Sequence, residues 1–335
     1  MAERKSMAEA GRRKRNLLEI IVVAVTVALI VIFSVVVDGF ATFGNFRVIL
    51  SNSASLVILS CGMAVVIISR GLDLSLVAVM IAGATTFTIF INADMPVALA
   101  LLLTVGAMVM IGLANAWLIA YVEIPAMLAT LASAMLVVGL FRFAILQGEF
   151  LLLLSKTNPA VIALSGDLLP GVSVSAVVMV AALLVTWFLL RGSAAGRTIY
   201  AMGDNFQAAR LTGLPVRTTT ITVYVFAALA ALCAGLVMSA ASGAVDFRTV
   251  TNGTLLFEVI LVVVLGGIPL RGGRGGVLNI IIGVALIAVL RNGMTLMNFT
   301  AQMQDVLKGL VLIVAIVADN YFNPRDTETD TVGDL

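Results

Sequence analysis

Apolar residues in this chain come in long blocks, not in alternation. Ten stretches rich in Ala, Val, Ile, Leu, Met and Phe follow one another, at roughly 17–37, 48–69, 74–92, 96–119, 125–147, 171–191, 219–240, 254–270, 276–297 and 301–319. Most approach the about 20 residues that an α-helix needs to cross the hydrocarbon core of a bilayer. Helices that are apolar on nearly every face belong in lipid or in a fully buried core. The pattern therefore predicts an all-α membrane protein with about ten transmembrane helices. The third and eighth stretches are short or contain glycine, which makes them candidates for broken or re-entrant segments.

The polar residues between the blocks orient this arrangement. Ten crossings place both termini on one side of the membrane. Fourteen Lys and Arg residues fall on that side, against Arg47, Lys156 and Arg248 on the other, while Arg142, Arg291 and Lys308 lie within spans or at their edges. Positive charge collects on cytoplasmic loops, so both termini are expected in the cytoplasm. The basic run Arg12–Arg15 precedes the first block, as in a secretory signal. That block is about 21 residues long, however, against about 7–15 for a signal core, and it is read as an uncleaved first span. The chain then divides into a basic cytoplasmic segment, 1–16, a transmembrane domain, 17–319, and an acidic cytoplasmic tail, 320–335. Residues 1–16 and the tail from Asp326 are expected to be mobile.

Composition narrows the chemistry. Of 335 residues, 61% are hydrophobic and 11% charged, against about 25% charged in soluble domains. Histidine is absent, which removes the commonest general base and transition-metal ligand. Cys61 and Cys233 both lie inside apolar runs and suggest neither a disulfide nor a thiol site. No G-x-x-x-x-G-K-[ST] phosphate loop occurs; "RGGRGG" at 271–276 has the glycines without the Lys-Ser/Thr pair. The chain is read as no enzyme and as having no ATPase site, metal site or nucleic-acid partner of its own.

The segment 191–218 stands apart, as about 28 polar, Gly-rich residues between two apolar blocks. Asp204 or Asn205 is placed to cap a short helix over Phe206–Leu211, with Gly213 as its stop and Leu214-Pro215 preventing continuation. Small Ala208 and Ala209 are expected on its surface, where they would let another protein approach closely. An ordinary solvated loop is the competing reading.

Polar residues within or beside the spans are the other candidates. Gly71 permits a tight turn in "GLDLS", and Asp73 is placed to accept from backbone N–H groups at Ser75 or Leu76, capping the third helix. The same turn is a candidate for lining a translocation path or gate, since broken helices flank transport sites. Asp305 and Lys308 share a helix face. Glu258 has no local partner and is a candidate to pair with Arg142 or Lys308, either structurally or along the path. Asn52 and Asn115 suit sugar hydroxyls because an amide both donates and accepts, and equally suit helix-to-helix bonding. Gly106 and Gly112, Ala230 and Ala234, and Gly235 and Ser239 are candidate close-packing positions.

Gln207-Ala208-Ala209 followed three residues later by Gly213 resembles the coupling-helix motif of bacterial ABC-importer permeases, with Gln where many have Glu. "GRTIYAMGDNFQAARLTGLPV" is similar to the corresponding loop of the ribose/xylose/galactose-type sugar permeases, and "SRGLDLSLVAVM", "VVVLGGIPLRGGRGG" and "VLKGLVLIVAIVAD" agree in order and spacing. The resemblance runs from about residue 40 to Asp319. It implies a type II-like importer permease bundle in the bacterial inner membrane, paired with a second permease, identical or homologous. A separate ABC ATPase would bind ATP and Mg²⁺, and a periplasmic solute-binding protein would deliver a monosaccharide or related polyol. It also implies that Gly203, Asn205, Gln207, Ala208, Ala209, Arg210 and Gly213 couple to the ATPase. A permease for branched-chain amino acids or nucleosides, and a self-sufficient secondary transporter, are the alternatives.

Overall fold

The computed structural model describes residues 2–155, 158–169 and 172–322. Lys156 and the acidic tail from Asp326 lie outside them. The chain runs α1 (Ala2–Val36), α2 (Phe43–Ile68), α3 (Leu76–Asn92), α4 (Val97–Ala120), α5 (Ala126–Leu140), β1 (Leu151–Leu153), α6 (Pro159–Ser165), β2 (Asp167–Leu169), β3 (Val172–Ser173), α7 (Val174–Trp187), α8 (Ala194–Asp204), α9 (Phe206–Leu211), α10 (Val216–Ser242), β4 (Ala244–Asp246), α11 (Arg248–Thr251), α12 (Thr254–Leu265), α13 (Val277–Leu296) and α14 (Ala301–Phe322). π-helical turns at Phe141–Ile145 and Phe188–Gly192 prolong α5 and α7.

Among the described residues, seven helices are long and apolar enough to cross a membrane: α1 from Glu19, α2, α4, α5 with its π turn, α7 with its π turn, α10 and α13. The third and eighth blocks form shorter helices, α3 of 17 residues and α12 of 12. The eighth block was expected to reach residue 270, but α12 stops at Leu265 because Gly266 and the left-handed Gly267 turn the chain there. The last block forms α14, which runs three residues past the expected boundary at 319. The backbone of Ala2–Asn16 continues α1 without a break.

Two departures from an all-α fold are small. Strand β1 pairs antiparallel with β4, setting Leu152 opposite Val245, and β2 pairs with β3. Both ladders lie in connections where short segments of backbone need partners that no helix supplies.

Helices α2, α3, α10 and α12 form the centre, and the other long helices surround them. In α2, 83% of the apolar window is buried, against 17% in α1; both are equally plausible as spans by composition. Lipid is as apolar as a protein core, so burial in such a bundle comes from close packing, not from polarity. The small residues of α10 act accordingly. Gly235 lies against the Met80 carbonyl of α3, and Gly112 of α4 lies against the Tyr224 carbonyl and Ala228. Gly106, in contrast, faces open space.

Candidate coupling surface and buried polar junction

The segment between α7 and α10 folds into two short helices stitched by local caps. Ser193 accepts from the Gly196 N–H at 3.0 Å and starts α8. Asn205 ends α8, donating its backbone N–H to Ala201 O at 3.0 Å. Its side chain starts α9 by accepting from the Ala208 N–H at 2.9 Å. Helix α9 covers Phe206–Leu211, the expected range, and Gly213 closes it in the left-handed region at φ 77°. Helix α8 was not anticipated in the sequence.

Together these caps fix which face of α9 is free. Ala209 turns inward, 3% exposed, and packs with Met202 and Val216, so only Ala208 of the expected alanine pair is on the surface. Gln207, Ala208 and Arg210 are exposed, and Leu211 is 86% exposed, a large apolar side chain in an otherwise polar segment. Arg210 and Arg217 both reach Glu123 in the α4–α5 connection, at 3.5 and 3.8 Å, and Arg217 also lies over the Tyr121 ring.

Gly203 is buried against the end of α2. A Cβ there would overlap the Ile68 carbonyl and the Gly273 backbone, and Gly273 N–H donates to the same Ile68 carbonyl at 2.9 Å. Beside it, the Tyr200 hydroxyl donates to Gly275 O at 2.7 Å. Burial raises the Tyr200 pKa, and the nearby positive charge of Arg191 opposes that rise.

Two residues beyond Ile68 begins the α2–α3 junction. The left-handed residue of this turn is Arg70, at φ 69°. Gly71 is required for space, since a Cβ there would lie 2.8 Å from the Tyr224 hydroxyl. Asp73 accepts from the Ser75 backbone N–H at 2.8 Å and from the Ser75 hydroxyl. The Asn115 amide of α4 donates to Ser75 Oγ at 2.9 Å. Thr130 of α5 accepts from Leu74 N–H at 3.0 Å while donating to Ala126 O at 2.8 Å. Gly71, Asp73, Ser75 and Asn115 are thereby brought together, with Thr130 and Tyr224 as members that sequence reading missed. The Asn115 carbonyl oxygen and the Tyr224 hydroxyl are buried without a hydrogen-bond partner among the described residues.

The remaining candidates gather near the opposite ends of the helices. Glu258 of α12, 6% exposed, lies 3.5 Å from Lys308 of α14 and 3.6 Å from Arg291 of α13. Lys308 also pairs with Asp305 at 3.0 Å, and Arg291 donates to the backbone carbonyl of Asn52 at 2.9 Å. Of the two cations considered for Glu258, Lys308 is the partner. Arg142 instead lies over the Phe150 ring, 4.1 Å from its centroid. Asn52 joins the cluster through its carbonyl, and its side chain is exposed. Arg291, Thr130 and Glu123 carried no local signal in the sequence, because each acts on a residue far away along the chain.

Comparison with known proteins agrees across almost the whole length. Residues 45–316 match the family described as branched-chain amino acid transport system / permease component. A probable ABC transporter permease of Escherichia coli K12, YphD, is 30% identical over 94% of this chain and 93% of its own length. The ribose import permease RbsC of the same strain is 31% identical, covering 87% and 90%. Its L-arabinose transport system permease AraH is 29% identical, covering 88% of each. No solved structure matches significantly.

Proposed function

The chain belongs to the family of ABC-transporter permease components described as branched-chain amino acid transport system / permease component, and from that premise we propose that it forms the import pathway for a monosaccharide or related polyol. It is a multi-pass membrane transport subunit, not an enzyme. The sugar reading is supported by relatives of about the same length whose names specify ribose and arabinose. The family description names branched-chain amino acids instead, and that cargo is the alternative. The working unit contains a second permease, identical or homologous, an ATPase that binds ATP and Mg²⁺, and a periplasmic solute-binding protein. Counting α3, α12 and α14 with the seven longer helices gives ten spans in the bacterial inner membrane, with both termini cytoplasmic. The distribution of Lys and Arg supports that orientation.

The observation that carries the mechanism is the free face of α9. Gln207, Ala208, Arg210 and Leu211 form a capped, exposed ridge on a helix whose other side is anchored by Ala209. A groove on the ATPase receives this ridge. Movement of α9 passes to α8 through the shared cap Asn205, and from Gly203 to the end of α2 by backbone contact. The junction at Gly71–Ser75 then re-aims α3, a rigid-body transmission of the kind seen in other switching proteins. The polar junction is closed in this conformation: Asp73, Ser75 and Asn115 are all buried. Of the carboxylates a secondary transporter could use, Glu258 is held by two cations and Asp73 by Ser75.

Ala208→Trp tests the coupling assignment, because Ala208 is exposed and the substitution adds bulk without crowding the bundle. The variant is expected to insert at normal abundance and elute like the parent, while ATP-dependent uptake falls by about tenfold or more. Parental uptake at parental abundance would sink the assignment of α9.

A further inference from the structure

Two clefts lie between the same helices, and together they have the shape and chemistry of a lipid. The first, of about 820 Å³, lies at the cytoplasmic end, bounded by Glu19 of α1, Trp187 and Arg191 at the end of α7, Arg197 and Tyr200 of α8, and the loop Arg274–Asn279 that enters α13. The second, of about 790 Å³, continues along α1, α7 and α13, with α2 as its further wall. On each helix the two linings are about one to two turns apart: Glu19 to Thr26 on α1, Leu183 to Trp187 on α7, and Leu278 to Ile281 on α13.

Their chemistry differs sharply. The first cleft gathers Arg191, Arg197 and Arg274, none of which has an acidic partner among the described residues. Its one carboxylate, Glu19, accepts from the Asn279 amide at 3.1 Å. The N-terminus of the 20-residue α13 opens into it, adding a positive dipole end. The second cleft is lined almost wholly by apolar side chains such as Ile30, Met179, Leu183 and Val284. From Glu19 to Ser34 on α1 the path is about 22 Å by helix rise, and the lining runs on to Phe40–Phe43 beyond the end of α1. One leaflet of a hydrocarbon core of about 30 Å is shallower than this, so an acyl chain would fill the part of the groove nearer the cations. Trp187 and Leu278, both exposed at the lip, occupy the level where aromatic and apolar side chains meet the bilayer interface.

We propose that this paired cleft binds an anionic glycerophospholipid of the cytoplasmic leaflet, its phosphate among Arg191, Arg197 and Arg274 and an acyl chain along the apolar groove. Basic pockets between transmembrane helices on the cytoplasmic side suit such headgroups. The apolar continuation distinguishes a lipid from a free phosphate. The inference rests on the orientation given under Proposed function. Because lipid retention is read without transport, its failure leaves the coupling assignment standing.

The test is native mass spectrometry of the full-length chain, purified with its partner subunits, delipidated and then titrated with phosphatidylglycerol or phosphatidylcholine of matched acyl chains. Phosphatidylglycerol should be retained in preference, and the combined Arg197→Gln and Arg274→Gln variant should lose that preference by on the order of tenfold. Ala285→Trp fills the groove without touching the cations. It should lower retention of long-chain phosphatidylglycerol while leaving binding of glycerol 3-phosphate unchanged. Equal retention of the two lipids by the parent chain, or undiminished retention in both variants, overturns the proposal. Glycerol 3-phosphate binding as tightly as the lipid also overturns it, in favour of a simple phosphate site. Retention of neither lipid by the assembled parent protein overturns it as well.

Discussion

The α8–α9 segment and the α2–α3 junction are neighbours in space, yet they are held together in different ways. Each cap in the α8–α9 segment comes from within a few residues: Ser193 for α8, Asn205 for α9, Gly213 for its end. The junction has one local cap, Asp73 on Ser75, and is otherwise held by residues far away along the chain. Asn115 is 40 positions from Ser75, and Thr130 is 56 from Leu74. Locally capped helices keep their shape when their surroundings move, which suits a part that must be pushed. A turn tied to three other helices changes only when those helices shift. The two regions meet where Gly203 touches Ile68, the contact through which the proposed coupling would pass from α9 to the bundle.

The largest effect is expected at that point of contact. Gly203→Val places side-chain atoms in the space of the Ile68 carbonyl and the Gly273 backbone, neither of which can give way cheaply. A loss of about 3 kcal/mol or more is expected, seen as a collapse of the monodisperse peak in fluorescence-detected size exclusion. Gly213→Ala is the control within the same segment. Its Cβ meets nothing within 4 Å, and the left-handed backbone alone costs about 1–2 kcal/mol. If both variants lose the folded peak equally, the close approach at Gly203 is not what joins the two regions.

A smaller loss is expected from within the junction. Thr130→Val keeps shape but leaves the Leu74 N–H without its acceptor in a buried setting, at a cost of about 1–3 kcal/mol. Thermal unfolding in detergent should show the drop. Asp73→Ala should match it, because it removes both bonds from Ser75. Thr130→Val and Asp73→Ala chains both as stable as the parent would mean that these polar bonds do not hold the junction, and the contrast with the capped segment would fail.

How much was legible in the sequence follows the same division. The bounds of α9 were readable because cap, stop and proline lie within eleven residues of one another. The helical, membrane-spanning character of the apolar blocks was equally readable, since hydropathy is local, whereas only seven of the described helices have spanning length. The central position of α2 was not, because its composition resembles that of α1 although one is buried and the other faces outward. In lipid both surroundings select the same residues. The partner of Glu258 was half legible. Lys308 was a candidate, while Arg291 and the misplaced Arg142 differ only in where the bundle puts them. Helix α8 was missed because its glycines, Gly196 and Gly203, argue against a helix until their close packing is seen.

The smallest effect on stability is expected where the capped segment touches a second loop. Glu123 reaches Arg210 and Arg217 from the α4–α5 connection, but it is 59% exposed and both distances are long. Water and salt screen such pairs, and exposed pairs contribute about 0.2–1 kcal/mol. Glu123→Ala should therefore unfold within about 1 kcal/mol of the parent, and added salt should shrink the difference further. Its consequence should appear in transport. Glu123 is the described contact between the α4–α5 connection and the exposed end of α9, so its loss should lower uptake by more than the loss of stability accounts for. A Glu123→Ala chain that unfolds as early as Thr130→Val would place α9 among the parts that hold the bundle together. The segment would then be an anchored element and not a locally capped lever.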